Sequence, residues 1–259
     1  LSGLTGTDVA ASVDTTGHST FGGDWMLEYN SGSIESLSAI SLDAQTQWSQ
    51  VLAVTSNGTV TSAQSANVGT TSNQLTWSHT VNAGTNRALF VTVSIDGLGA
   101  NVNSVTYGAQ SLVKVGRATG NHAVEIWALV NPTVGTANVV VSFAGSTAAA
   151  AGAATYNGVN QSTPYGTFVG ATGTGTTASV TVASAVGDLV IDSQYWQGTA
   201  GTGTPGAGQT VIWYQTQAAM IGGSSTEAGA ASVVMSGTFT NSSQWEMGAV
   251  SIKAAAGIT

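Results

Sequence analysis

Residues able to do chemistry are few in this chain, and they are widely spaced. His18, His79 and His122 stand too far apart for an H-x-H or HExxH metal pair. Asp96 and His122, with one of many serines, would supply acid, base and nucleophile for acyl transfer, yet no G-x-S-x-G elbow presents a serine. Isolated strand or turn histidines are the plainer reading. Glu125, Asp192, Glu227 and Glu246 are the carboxylates from which a glycoside-cleaving pair would be drawn. Glu125 shares a strand face with Trp127, a pairing suited to sugar binding, and Trp196 is a second candidate ring. "GTGTPG" (201–206) matches G-x-G-x-x-G, but no helical periodicity follows, so a phosphate cradle fails its context. "DGLGAN" (96–101) offers one carboxylate, too few for a tight Ca²⁺ site, and reads as a turn. No catalytic residue, metal or cofactor is therefore assigned, and a non-enzyme is expected. Trp127, Glu125 and Trp196 stay as candidate glycan contacts.

Composition narrows the classes further. Only 6% of the 259 residues are charged while 42% are hydrophobic; soluble domains usually carry about 25% charge. Thr, Ser, Gly and Ala take the place of surface charge, leaving little electrostatic repulsion against close subunit packing. This is the profile of an exported structural or adhesive β protein. Four Lys+Arg against 12 Asp+Glu leave a net charge of −8, which excludes a nucleic-acid binder that needs a basic face. With no Cys there is neither a disulfide framework nor thiolate metal ligation. No run of about 18 apolar residues is present to span a membrane, and no signal peptide is visible. Leu1 in place of an initiator Met suggests a processed product or an interior segment.

The elements that must carry these residues are strands. "LTWSHTV" (75–81), "ALFVTVSI" (88–95), "VEIWALV" (124–130), "ANVVVSF" (137–143), "DLVIDSQYW" (188–196), "TVIWYQ" (210–215) and "WEMGAVSIK" (245–253) carry the β pattern. "VNSVTYGAQSLVKVGR" (102–117) reads as a hairpin turning at Gly108. "GATGTGTT" and "GTAGTGTPGAG" read as loops. The single helix signal is Ala44 to Leu52, with Asp43 as its N-cap. An internal repeat is visible: "HTVNAGTNRALFVTVSID" resembles "SVTVASAVGDLVIDSQY", and "ANVVVSFAGSTAAAAGAATYNGV" resembles "ASVVMSGTFTNSSQWEMGAVSIKA". The copies come in the same order, roughly 95–100 residues apart. Two similar antiparallel halves sharing one double-sheet core, a jelly-roll-like all-β sandwich over 54–259, is the expected architecture. A plain immunoglobulin sandwich is disfavoured, because each half has too few strands to bury its own face.

"LTWSHTVNAGTNRALFVTVS", "VNSVTYGAQSLVKVG", "EIWALVNPTVGTANVVVSFAGS", "YNGVNQSTPYGTF" and "VGDLVID" together resemble a jelly-roll module of large secreted bacterial surface proteins, over about residues 70–253. That resemblance implies an extracellular β-sandwich and carries over no catalytic residue. "LTGTDVAASVDTTGHSTFGGDWMLEYNSGSIES" followed by "LDAQTQWSQVLA" is similar to the C-terminal end of an uncharacterised domain near the N-terminus of very large exported adhesin-like proteins. The body of that domain is related to caspase-like cysteine peptidases, and its Cys has no counterpart in this chain. Residues 1–53 are thus expected to be a strand-plus-short-helix extension, with Asp24, Trp25, Leu27 and Tyr29 in a segment that pairs with a neighbouring subunit. The expected function is an extracellular structural subunit of a filament, sheath or adhesin, a homo-oligomer or polymer. The alternatives are a module that binds surface glycans and, third, a polysaccharide hydrolase.

Overall fold

In the computed structural model the described residues are 9–11, 29–31, 53–65, 73–97, 101–198, 203–217 and 220–255. They are strands and turns throughout, in antiparallel sheets. The chain divides into two units, Leu1–Ala53 with Ala256–Thr259, and Val54–Ala255. In the first unit β1 (Val9–Ala11) pairs with β2 (Tyr29–Ser31), so Tyr29 lies on a strand paired within its own chain. The expected helix at Ala44 to Leu52, and Asp24, Trp25 and Leu27, lie outside the described residues.

The second unit opens with β3 (Thr55–Ser65), β4 (Gln74–Val81), β5 (Ala88–Ile95), β6 (Val102–Tyr107), β7 (Gln110–Ser111), β8 (Val113–Thr119), β9 (Ala123–Val130), β10 (Gly135–Phe143) and β11 (Ala149–Asn157). These form a four-stranded sheet in the order β4-β10-β6-β7 and a five-stranded sheet in the order β3-β11-β5-β9-β8. β4 alternates exposed and buried along "QLTWSHTV", as expected of a strand with one face on the core. Its inward Leu75, Trp77 and Val81 meet Val139, Val141 and Phe143 of β10 and Leu89, Val91, Val93 and Ile95 of β5 in one buried cluster. β5 is buried along its whole length, because its other face packs on the second half.

The second half comprises β12 (Val169–Ala183), β13 (Leu189–Gln197), β14 (Gly203–Pro205), β15 (Thr210–Gln217), β16 (Met220–Ala228) and β17 (Ser232–Ile252). They form one sheet in the order β12-β17-β13-β16-β15, with β14 also on β17. Its central pairings retrace those of the first half: β17 pairs with β13 as β11 pairs with β5, and β13 with β16 as β5 with β9. Two hydrogen bonds mark the symmetry. Ser94 Oγ donates to Gln194 O at 2.6 Å, and Ser193 Oγ donates to Val93 O at 3.3 Å, each joining residues 100 apart.

The structure changes three expectations. The halves do not share a single core. Each encloses its own cluster, the second built on Val180, Val182, Trp196, Met235, Phe239 and Met247, and further clusters lie between the halves. Each half buries its own inner face because nine strands in the first and six in the second close on it, more than the pattern of clear strands suggested. "GATGTGTT" is not a loop but part of β12, and Gly203–Pro205 within "GTAGTGTPGAG" is β14; glycine and threonine there pair in a ladder without any apolar alternation to announce it. The 102–117 hairpin closes at Gly108 (φ 55°) between β6 and β7, but β8 leaves to join the other sheet.

Candidate functional site

A set of polar side chains in the second unit gathers where the two halves meet. Thr172, Glu246 and Tyr195 lie opposite one another on β12, β17 and β13, so their side chains share one face. The first half brings Asp96, just past β5, and the turn Gly120–His122 between β8 and β9. The His122 ring stacks on Tyr195 with centroids 4.3 Å apart. Its Nδ1 lies 2.9 Å from Asp96 Oδ1, to which the Tyr195 hydroxyl also donates at 2.8 Å. The Gly97 N–H points at the same Nδ1 from 3.2 Å. The backbone N–H of His122 donates to Glu246 Oε1 at 3.2 Å. Burial pushes the Glu246 carboxyl up, against the opposing pull of the N–H of His122 and its ring. Burial, then the Asp96 carboxylate, pushes the Tyr195 hydroxyl up.

Beside this cluster opens a cleft of about 210 Å³. Gly120 and Asn121 form one wall, Thr172, Gly173 and Thr174 the other, with Gln244 and Glu246 between them. Asn121 Nδ2 donates to Gln244 Oε1 at 3.0 Å across the seam. A Cβ on Gly120 would stand 2.7 Å from Glu246 Oε1, so a side chain there would push the carboxylate aside.

The structure thus brings Asp96 and His122 together but not a third member. His122 Nε2 is buried and makes no hydrogen bond, so no serine stands where it would be activated. The carboxylates named as a glycosidase set are dispersed. Glu125 is fully buried, with Lys114 Nζ at 3.1 Å, Arg117 Nη1 at 2.6 Å and Trp127 Nε1 at 2.8 Å. Asp192 is held in the second core by Gln194 and Ser225. Glu246 is the one carboxylate of the cleft among the described residues. Among those residues no group of three His, Cys, Asp or Glu is placed to hold a metal.

The glycan contacts expected at Trp127, Glu125 and Trp196 are corrected by burial. Trp127 is 6% exposed and packs in the first core; Trp196 is fully buried under Phe239 and Trp245. An indole with both faces covered offers no platform to a sugar. What put Glu125 and Trp127 on one face was correct alternation, but that face points inward. All four cationic side chains are likewise engaged within the fold: Lys114 and Arg117 on Glu125, Lys253 on Asp188 at 3.0 Å, and Arg87 on the carbonyls of Gly84 and Pro132. Gly120, Asn121, Thr172 and Gln244 were not legible as a site, since only strand register and the seam bring them to Glu246.

A family model described as a domain of unknown function, DUF4347, matches residues 1–52, about a fifth of the chain and none of the residues of the seam. No curated protein matches the chain.

Proposed function

We propose that the chain is an extracellular structural subunit of a bacterial surface filament, sheath or adhesin that assembles through β-strand contacts. In this reading residues 54–259 are a jelly-roll-like sandwich of two similar halves, and 1–53 an extension of strands and a short helix. One observation carries the proposal. β12 is an edge strand paired on one side only among the described residues, and its sequence "VGATGTGTTASVTVA" holds no charge. Its register breaks between Gly175 and Thr177, and beyond that break Thr177–Ala183 runs on in unbroken register with β17. Edge strands that stay unpaired are normally short or blunted by Lys, Pro or bulges, and this C-terminal run carries none of these. The C-terminal part of β12, with Ala178, Val180 and Val182 inward and Ser179 and Thr181 outward, is a template for a second copy. The low surface charge leaves that approach unopposed. Size-exclusion chromatography with light scattering and negative-stain imaging of the native chain tests this. Oligomers or filaments are expected, and Ser179→Lys/Thr181→Lys is expected to dissolve them by setting like charges opposite each other. A compact monomer at every concentration overturns the proposal.

A further inference from the structure

We infer that the cleft at the seam binds hydroxyl groups of a neutral saccharide, with Glu246 as its anchor. This adds a ligand to the structural role and does not depend on strand assembly. Glu246 is 2% exposed, yet its Oε2 makes no hydrogen bond. Leaving such an oxygen unsatisfied costs about 1–3 kcal/mol, and more for a charged group, so native folds rarely retain one without a use. Its side chain lines the cleft. Oε2 is shielded as the carboxylate stands, but the terminal torsion of a glutamate is broad, and a hydroxyl in the cleft can draw that oxygen toward itself.

The walls decide the ligand class. At about 210 Å³ the cleft has room for about seven waters at about 30 Å³ each, well beyond one bridging water. Thr172 and Thr174 present hydroxyls, which both donate and accept, while the amides of Asn121 and Gln244 are fixed to one another. Both threonines are exposed. Gly120 and Gly173 leave the backbone open; behind Gly173 stands the Trp245 ring, 2.6 Å from where a Cβ would sit. No cation lines the cleft, which disfavours phosphate, sulfate or an acidic sugar. A single carboxylate is too little for a metal ion. Alternating donors and acceptors of a neutral polyol fit what is left.

The test is saturation-transfer NMR and titration calorimetry of the full chain against neutral glucan, galactan, mannan and N-acetylhexosamine oligosaccharides. At least one series is expected to bind. Glu246→Gln, which keeps an acceptor for the His122 N–H, is expected to weaken it about tenfold, the worth of one hydrogen bond to a charged group, and Thr172→Val about fivefold, the worth of a neutral one. Asn121→Trp, on an exposed turn, is expected to abolish it by filling the cleft. If Glu246→Gln fails to fold, the two exposed-site variants decide. Absence of binding by the unmodified chain to every oligosaccharide, or equal binding by all variants, overturns the inference. Sizing of the same samples separates the outcomes: a monomer that binds sugar defeats the assembly proposal alone, and a filament that binds none defeats this inference alone.

Discussion

Two buried residues titrate against each other in this protein. Asp192, fully buried without a cation, accepts from Gln194 Nε2 at 2.7 Å, Ser225 N at 2.6 Å and Ser225 Oγ at 2.9 Å. Burial outweighs those bonds and pushes it up from 3.8 to about 7. In that window the folded state holds the proton more tightly than the unfolded chain, so its contribution to stability falls as pH rises from about 4 to about 7. His79, hydrogen-bonded to Thr155 Oγ1 at 2.8 Å, is pushed by burial from 6.5 down to about 4. There the unfolded chain binds the extra proton, so stability rises between about pH 4 and 6.5. Each effect is on the order of 3–4 kcal/mol at 1.36 kcal/mol per unit, and the two partly cancel. Urea unfolding from pH 4 to 8 is therefore expected to show a shallow profile for the unmodified chain. Asp192→Asn is expected to steepen the rise between pH 4 and 6.5, and His79→Gln to leave a net fall. Parallel profiles for all three would contradict this account.

At the scale of elements, β11 and β16 show how small residues let sheets approach. "AAAGAATYN" of β11 is buried on both faces: Ala149, Ala151 and Ala153 join the first core, while Ala150 and Ala154 face the second half. The Trp213 indole fills the place a Gly152 side chain would take, and its Nε1 donates to Thr92 Oγ1 at 2.9 Å. At Gly222 on β16 a Cβ would come within 2.9 Å of Ser94 Cβ. Gly152→Val is expected to destabilise by about 1–3 kcal/mol or more through overpacking, and Trp213→Ala by about 3–5 kcal/mol through the cavity it leaves. The double variant is expected to cost less than their sum, since the valine grows into the space the indole vacates. Additive costs in denaturant melts would place the two out of contact.

At the scale of the whole second unit, the duplicated halves behave as one body because their joint is built like an interior. Phe90, Ile126, Tyr156, Ile191, Val250 and Ile252 form one of its buried clusters, and Tyr195, Trp213 and Met220 belong to another. Neither half can lose its partner without exposing a second apolar face, at about 25 cal/mol per Å². Heat or urea is therefore expected to unfold both halves in one transition, with tryptophan fluorescence and far-UV circular dichroism coinciding. Two resolved transitions would show the joint to be weaker than its burial implies.

The sequence by itself determined what local pattern can carry. Runs of β-branched and aromatic residues placed β4, β5, β9, β10, β13 and β15 nearly residue for residue. Self-similarity announced the pairing order that the two halves have in common. It also paired Glu125 with Trp127, but alternation fixes which side chains share a face and not which way that face looks. Only the tertiary structure decided that Glu125, Trp127 and Trp196 are interior, that a Gly/Thr run is an edge strand, and that β11, with little but Ala and Gly to show, is central. The seam was hidden for the same reason. Asp96, His122, Thr172, Tyr195 and Glu246 converge through cross-strand register and the packing of one half on the other, and both are properties of distant segments held together that no local window contains.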